Sequence, residues 1–291
     1  MSQQALVLVT TPVAGIESAS AFKVVDPATF HISAMDLAVT RGDGIFDVFG
    51  VRDGAPVNMD AHLARFARSA AMLDLPAPLE SAWRPAIEAA IEAFGPGYGA
   101  VKLVMSRGIE GCGVPTGFIY VWSVEDEAAL DLSGGISVVT LDRGYRHDVA
   151  LTSPWLLQGA KTLSYAVNKS ALREAARRGF DDVLFVSSDG YLLEGPTSSL
   201  ILRIDGELFT PKHDLGILPG TTQIASFQVA NSLGLTAREE LLAVDALDRA
   251  DAAWLTSSIR GAVPLRKVDD REYEIDSDLT ARLNATVIRP S

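Results

Sequence analysis

The sequence predicts a mixed α/β (α+β) protein made of two domains. With 291 residues, the chain is long for a single hydrophobic core, and 48% of its residues are hydrophobic. Segments that alternate like strands are interspersed with segments that have helical spacing. Residues 125–135 are polar and then glycine-rich, so we interpret them as a linker between a small domain, 1–124, and a larger domain, 136–291.

Composition excludes several classes of function. The net charge is −12 and no basic run occurs, which argues against binding to nucleic acid or to anionic membranes. Cys112 is the only cysteine, and the four histidines lack the paired spacing of metal ligands. No apolar run approaches the roughly 20 residues that span a bilayer, and the amino terminus does not resemble a signal peptide. We therefore expect a cytoplasmic protein without a metal.

Patterns in the first 124 residues predict strands and two helices. Leu63, Phe66 and Ala70 share one face of the first helix. The predicted strands cover residues 6–9, 44–51, 100–105 and 118–122, and the predicted helices cover 61–70 and 82–94.

The second half is centred on residues 158–200. Ser164 to Arg178 has the apolar spacing of a helix, and residues 182–188 form a strand pattern followed by a hairpin turn at Asp189-Gly190. This pattern places Lys161 at the entry to the helix and Glu194 at the end of the hairpin. Further strands are predicted at 136–141, 200–204, 207–209 and 252–255, and a further helix at 223–233.

Lys161 and Glu194 are the candidate reactive residues of this unit. A lysine before a helix and a glutamate beside a glycine are usually ordinary surface residues. Lys161, however, has leucine and alanine neighbours in the sequence, and desolvation lowers the pKa of a lysine amine, which frees it to form a Schiff base. Pyridoxal phosphate needs such a lysine, and a carboxylate that keeps its ring nitrogen protonated. The spacing alone leaves the surface interpretation open.

Several motifs resemble those of a known family. They are Arg41-Gly42-Asp43-Gly44-Ile45-Phe46, Gly159-Ala160-Lys161-Thr162-Leu163-Ser164-Tyr165, Glu194-Gly195-Pro196-Thr197-Ser198 and Leu218-Pro219-Gly220-Thr221-Thr222. Together they resemble the class IV pyridoxal-phosphate enzymes, which include branched-chain aminotransferases, D-amino-acid aminotransferases and aminodeoxychorismate lyases. The resemblance covers nearly the whole chain. Residues 41–46 and 255–258 are most similar to actinobacterial-type aminodeoxychorismate lyases.

The resemblance implies a fold, a cofactor and an assembly. The fold is PLP fold type IV, with a small amino-terminal α/β domain, a larger carboxy-terminal domain and pyridoxal 5′-phosphate between them. The assembly is a homodimer that acts on a small-molecule amino substrate. Lys161 would carry the cofactor, and Glu194 would pair with its ring nitrogen.

The resemblance also implies contacts to the cofactor phosphate. Arg65 matches an arginine in the family pattern His-Leu-x-Arg-x-x-x-Ser-Ala, and a guanidinium suits a phosphate through bidentate hydrogen bonds. Thr221 and Thr222 begin a predicted helix, whose amides favour an anion, although this sequence is also a routine turn and N-cap. Ser257 and Ser258 resemble a second clamp on the phosphate, and turn formation is the alternative.

Three further residues are candidates for contacts with substrate or cofactor. Phe46-Asp47 replaces the Tyr-Glu of many relatives, and the loss of a tyrosine hydroxyl leaves substrate preference open. Arg107 resembles an arginine beside the substrate entrance, but a structural ion pair explains it equally well. Tyr165, one turn after Lys161 on the predicted helical face, is a candidate partner of the cofactor phenolate.

Some positions depart from the patterns of relatives. D-amino-acid aminotransferases carry an Arg-x-His carboxylate trap where this chain has Glu-Gly-Cys-Gly-Val at 110–114, which disfavours that subgroup. Gln223 and Ser199 stand where relatives usually carry arginine and asparagine. These departures indicate a divergent subgroup.

We expect the enzyme to be a lyase that converts 4-amino-4-deoxychorismate to 4-aminobenzoate and pyruvate in folate synthesis. The alternative is a class IV aminotransferase acting on branched-chain or other amino acids, because both reactions use the same residues. A remote alternative is an inactive relative that binds or regulates. The presence of Lys161, Glu194 and Arg65 together argues against that alternative.

Overall fold

The structure, a computed structural model, describes residues 3–29, 31–124 and 134–287. Contacts within the chain divide it into two compact units. Among the described residues, the first unit contains 3–29, 31–124 and Ala160–Tyr165, and the second contains 134–159 and 166–287. The sequence placed 160–165 in the larger domain, whereas the structure groups this segment with the first unit. Most of the predicted linker, residues 125–133, lies outside the described residues.

The first unit is built on an antiparallel sheet. The six strands are β1 (Gln4–Val9), β2 (Phe22–Val25), β3 (Gly44–Arg52), β4 (Ala55–Pro56), β5 (Tyr98–Ser106) and β6 (Thr116–Ser123). Their order in space is β2-β1-β6-β5-β3-β4, and every neighbouring pair is antiparallel. The β3–β4 turn is tight because Asp53 and Gly54 both adopt positive φ angles, of 48° and 82°.

The helices of the first unit are α1 (Leu37–Thr40), α2 (Met59–Met72) and α3 (Glu80–Phe94), and α2 and α3 pack on the sheet. The core beneath them contains large side chains that are fully buried, including Phe49 and Trp83. The Trp83 ring lies 5.0 Å from that of Phe66, and its Nε1 donates to the Pro12 carbonyl at 2.9 Å. An indole buries much apolar area, and this hydrogen bond satisfies its one donor.

Residues 160–165 run alongside the start of β3. The amide of Phe46 donates to the Lys161 carbonyl at 3.0 Å, and the amide of Leu163 donates to the Gly44 carbonyl at 2.8 Å. The predicted helix therefore begins only at Ala166, because its expected first residues are drawn out towards β3. The prediction that Lys161 enters a helix, with Tyr165 one helical turn away, is wrong.

The second unit contains a mixed eight-stranded sheet. Its strands are β7 (Ile136–Asp142), β8 (Asp182–Val186), β9 (Ser199–Ile204), β10 (Glu207–Pro211), β11 (Ala237–Glu240), β12 (Ala252–Ser257), β13 (Gly261–Val268) and β14 (Arg271–Glu272). The order is β11-β10-β9-β12-β13-β7-β8, with β14 beside β13. The strand β7 pairs in parallel with both β8 and β13, and β10 pairs in parallel with β11.

Helices cover the second sheet. They are α4 (Val149–Thr152), α5 (Ala166–Arg177), α6 (Thr221–Ser232), α7 (Ala246–Arg249) and α8 (Ser277–Val287). Alternation along β9 sends Leu200 and Leu202 into one core and Ile201 into another, where it packs with Trp254. The predicted hairpin after β8 is a single antiparallel bridge between Val186 and Leu192, rather than a longer ladder.

Two kinds of feature were searched for among the described residues. None of their helices is both long enough and apolar enough to cross a membrane. The same residues contain no cluster of three or more histidine, cysteine, aspartate or glutamate side chains suited to a metal ion.

We expect Gly44→Ala to destabilise the protein. Gly44 lies where β3, β5 and Leu163 meet, and a Cβ atom added there would be 2.7 Å from the Met105 carbonyl oxygen and 2.8 Å from Leu163 Cδ1. Relief of these contacts requires backbone movement, so the free energy of unfolding should fall by about 1–3 kcal/mol. Urea unfolding followed by tryptophan fluorescence measures the change.

Gly134→Ala is the matched control, because a Cβ atom there would meet no heavy atom within 4 Å. Its unfolding midpoint should stay close to that of the wild type. Equal midpoints for the two variants would contradict the close packing of residue 163 against β3.

Candidate active site

Lys161 is held at its backbone on both sides. Its carbonyl accepts the hydrogen bond from Phe46, and its own amide donates to Ser69 Oγ at 3.1 Å. Ser69 is only 1% exposed, so this hydrogen bond is shielded from water. The main chain of Lys161 is thereby fixed to β3 and to α2, while the half-buried side chain carries the reactive amine.

The Lys161 amine lies against an aromatic ring. Its Nζ is 4.7 Å from the centre of the Phe46 ring, and Lys102 Nζ is 4.8 Å from the same centre. Tyr165 packs edge-on against Phe46, with ring centres 5.3 Å apart. Phe46 is therefore the residue around which the first unit gathers its reactive amine, a second cation and another aromatic ring.

Arg65 is buried in a cluster with Asp47 and His62, which are 4%, 0% and 2% exposed. Arg65 Nε donates to Asp47 Oδ2 at 2.8 Å, and Nη2 donates to Asp47 Oδ1 at 2.7 Å. His62 Nδ1 lies 2.7 Å from the same Oδ1. Because both carboxylate oxygens are acceptors, this nitrogen carries the hydrogen, and its 3.3 Å approach to Arg65 Nη2 is a packing contact.

The charge states in this cluster follow from burial and from the ion pair. Burial alone raises the pKa of Asp47, but the charge and hydrogen bonds of Arg65, together with those of His62, hold that pKa well below its usual range. Burial lowers the pKa of His62, and this effect outweighs the opposing interactions with Asp47. At neutral pH the cluster is an aspartate–arginine ion pair with a neutral histidine.

The polar face of α2 was missed by the sequence interpretation, which assigned roles to neither Asp47 nor Ser69 and treated His62 as scattered. His62, Arg65 and Ser69 recur at helical spacing beside the apolar stripe of Leu63, and all three are buried. Polar residues that flank an apolar helix face in this way are the signal that was available in the sequence.

The structure favours the ion-pair interpretation of Arg107. Its Nε donates to Asp43 Oδ2 at 2.7 Å, and Nη2 donates to the Leu73 carbonyl at 2.7 Å. Nη1 lies 3.3 Å from the carbonyl oxygen of Asp74. Arg107 thus ties together the segment before β3 and the end of α2, and its role beside a substrate remains a prediction.

Glu194 is positioned by backbone contacts in the second unit. Its carbonyl accepts from the Phe185 amide at 2.9 Å, and its Oε2 accepts from the Leu218 amide at 3.2 Å. The residue is half-buried. A carboxylate oriented by a backbone amide suits a fixed, protonated nitrogen.

Thr221 and Thr222 form the first turn of α6 and are nearly buried. Their hydroxyl oxygens lie 3.3 Å and 3.5 Å from Ser258 Oγ, so the second unit brings together these three predicted residues. Gly220 precedes them, and a Cβ there would be 2.3 Å from Ser199 Oγ. The start of α6 requires glycine because the backbone approaches Ser199 so closely.

Ser257 is a turn residue in the structure. Its Oγ accepts from the amide of Arg260 at 3.4 Å, which closes the turn between β12 and β13. Arg260 Nη2 in turn donates to the buried Asp182 at 2.8 Å. These contacts anchor the turn that carries Ser258, and direct contact between Ser257 and a phosphate remains a prediction.

The donor groups of each unit suit parts of pyridoxal phosphate. In the second unit, three hydroxyls meet at the positive end of α6, as an anionic phosphate requires, and Glu194 offers the carboxylate for a ring nitrogen. In the first unit, Lys161 offers an amine for the aldehyde, and the Arg65 guanidinium suits a phosphate. The residues present therefore fit this cofactor.

Comparisons with known proteins agree with the site chemistry. The family profile of Amino-transferase class IV matches residues 44–268. The chain is 41% identical over 259 residues to a bifunctional aminodeoxychorismate lyase / D-amino acid transaminase of Mycobacterium tuberculosis, covering 86% of this chain and 90% of the relative.

Solved structures show the same fold. A fold IV-transaminase from Curtobacterium pusillum is similar with a TM-score of 0.94 and 48% identity, covering 99% of this chain and 98% of that one. A hypothetical aminotransferase from Mycobacterium tuberculosis, in its PLP-bound form, has a TM-score of 0.89 and 38% identity, with 98% of both chains covered. The predicted PLP fold type IV is confirmed. The chain belongs to the class IV aminotransferases, a family of enzymes that use pyridoxal phosphate.

Proposed function

We propose that the protein is a 4-amino-4-deoxychorismate lyase, which releases 4-aminobenzoate and pyruvate. The observation that carries the proposal is Lys161, whose backbone is held on both sides and whose amine lies on the Phe46 ring. Support for the lyase comes from the Mycobacterium tuberculosis relative, whose name includes this activity and which matches most of the chain.

Residues from both units bind the cofactor in this proposal. The contacts are Lys161 to the aldehyde, Glu194 to the ring nitrogen, and Arg65, Thr221, Thr222, Ser257 and Ser258 to the phosphate. Tyr165 remains a prediction for the phenolate. A homodimer is proposed on the family resemblance alone, and the mass of the protein in solution tests it.

When bound, pyridoxal phosphate supplies an electron sink for the carbon that bears the amino group. Lys161 Nζ is the general base that takes the proton from that carbon. The carboxylate of Glu194, oriented by the Leu218 amide, keeps the proton on the ring nitrogen. In the lyase reaction, loss of pyruvate makes the substrate ring aromatic, so the reaction requires no amino acceptor.

The surroundings of Lys161 suit a ring that carries a carboxylate. Phe46 and Tyr165 offer aromatic surface, against which an aromatic product packs favourably. Lys102 adds a second positive charge at the same ring, which attracts a carboxylate. These groups fit 4-aminobenzoate better than a small aliphatic side chain.

D-amino-acid transamination is the second candidate. The same Mycobacterium tuberculosis relative carries this activity in its name. The Arg-x-His trap of that subgroup is absent at residues 110–114, so a carboxylate would have to be bound by other groups. Both activities use the same general base, and one enzyme can therefore perform both.

We expect the cofactor-loaded protein to release 4-aminobenzoate and pyruvate in equal amounts from 4-amino-4-deoxychorismate, with no 2-oxo acid present. The product must exceed the enzyme concentration, because a lyase regenerates its resting state without an acceptor. Chromatography of 4-aminobenzoate and a coupled assay for pyruvate measure the two products.

A parallel reaction supplies D-alanine or L-alanine with a 2-oxo acid. Amino transfer from D-alanine without release of 4-aminobenzoate would replace the lyase by the second candidate. Neither reaction in a protein that binds the cofactor would revive the inactive-relative alternative.

We expect borohydride reduction of the loaded protein to fix the cofactor on Lys161, because only this lysine has its main chain hydrogen-bonded to both β3 and α2 in the proposed site. Lys161→Ala should abolish the visible cofactor band and lower turnover by at least about 10³-fold. Peptide mapping and absorption spectra provide the readouts.

Lys102→Ala is the matched control, since Lys102 approaches the same Phe46 ring at nearly the same distance. This variant should keep the visible band and the label on Lys161. A label on Lys102 in the wild type would contradict the assignment of the reactive lysine.

A further inference from the structure

The most deeply buried charge of the first unit has no task in the reaction. Asp47 is fully buried, and it follows Phe46 on β3, so alternation places the two side chains on opposite faces of the sheet. Phe46 faces the reactive lysine, and Asp47 faces α2. A buried carboxylate is costly unless it is fully paired, so its presence requires an explanation.

Asp47 is saturated by protein groups. Its Oδ1 accepts from Arg65 Nη2 at 2.7 Å, from His62 Nδ1 at 2.7 Å and from the Val48 amide at 2.8 Å, while Oδ2 accepts from Arg65 Nε at 2.8 Å. An ionised carboxylate has about four acceptor positions. Asp47 therefore has no capacity left for a substrate or cofactor, and any role must act through its partners.

The partner with a proposed role is Arg65. Two of its nitrogens, Nε and Nη2, form a bidentate fork on Asp47, and such a fork fixes the plane of the guanidinium. The side of Nη1 is then turned away from Asp47. A lysine or an unpaired arginine would have no such fixed direction.

His62 fixes the carboxylate in turn. It lies one helical turn before Arg65 on α2 and reaches the same oxygen as Arg65 Nη2. Its ring also packs against Phe49, with ring centres 5.3 Å apart, which limits rotation. As a neutral donor, His62 orients Asp47 without adding a positive charge next to Arg65.

The same helix also positions Lys161. Ser69 follows Arg65 by one turn of α2, and its hydroxyl accepts from the Lys161 amide. One rigid helix thus holds both the guanidinium and the main chain of the reactive lysine. A fixed orientation of Arg65 on this helix fixes its direction relative to Lys161.

We propose that Asp47 and His62 are positioning residues that hold Arg65 in the orientation in which it binds the cofactor phosphate. This inference rests on the proposed function, which makes Arg65 a phosphate ligand. It adds to that function a buried pair, next to the chemistry but not in contact with it, that sets the affinity for phosphate.

The test compares pyridoxal phosphate with pyridoxal, which lacks the phosphate. Asp47→Asn preserves the shape of the side chain but replaces one acceptor oxygen by a donor, so the fork on Arg65 is lost. We expect Kd for pyridoxal phosphate to rise by roughly 10- to 100-fold, as for other residues that orient a ligand-binding side chain, and Kd for pyridoxal to change less than about twofold. Absorption titrations of the full chain without cofactor measure both constants.

Variants of His62 provide an independent measurement if Asp47→Asn folds poorly. His62→Ala removes the donor to Asp47 and should lower the preference for the phosphorylated cofactor. His62→Asn places an amide donor close to the position of Nδ1 and should restore most of that preference. A purely structural role would lower both affinities together and would not be rescued in this selective way.

Asp189→Asn is the matched control, because Asp189 pairs with His147 Nδ1 at 2.7 Å in the second unit. It should leave the ratio of the two dissociation constants unchanged. Equal weakening of both ligands by Asp47→Asn, or no weakening of either, would overturn the positioning role.

Arg65→Met separates this inference from the proposed function. It should abolish most of the preference for pyridoxal phosphate over pyridoxal. If it leaves the preference intact, Arg65 does not bind the phosphate, and both the assignment of Arg65 and the positioning role are wrong. If it abolishes the preference while Asp47→Asn and His62→Ala do not, only the positioning role fails.

Discussion

The hydrogen bonds between β3 and residues 161–163 are the constraint on which the first unit depends. They fix the main chain of Lys161 and prevent residues 161–165 from joining the following helix. Because side chains alternate along a strand, the same three residues of β3 that receive this segment also direct Phe46 to the amine and Asp47 to α2. A single strand therefore supplies the surface beneath the reactive group and the buried anchor of Arg65.

The second unit achieves its part by close backbone approach. Gly220 must lack a side chain because Ser199 Oγ and Gln223 Cβ occupy the space around it, at 2.3 Å and 3.2 Å from an added Cβ. These neighbours are the two positions where the chain departs from the usual asparagine and arginine of its relatives. The departures are thus one local change at the start of α6, since both residues pack against the same glycine.

Sequence patterns were sufficient for most elements, because alternation and helical spacing are local properties. The predicted strand 44–51 is Gly44–Arg52, and the predicted helix 61–70 is Met59–Met72. The start of the helix at Ala166 was not predictable in this way, because contacts with β3, more than a hundred residues earlier, decide it. Asp47 was missed for the same reason: its partners are close only after α2 has packed on the sheet.

The choice between lyase and transaminase depends on whether the proton returns from Lys161 Nζ to the substrate-derived carbon or to the cofactor. The Phe46 ring stabilises an ammonium at this position by about 0.5–2 kcal/mol. Both lysine Nζ atoms approach one ring centre, so they lie within about 10 Å of each other, and Lys102 opposes a second charge by roughly 0.4–1.7 kcal/mol. Because these effects are opposite and similar in size, single substitutions around Phe46 are enough to shift the balance between the two reactions on one unchanged scaffold.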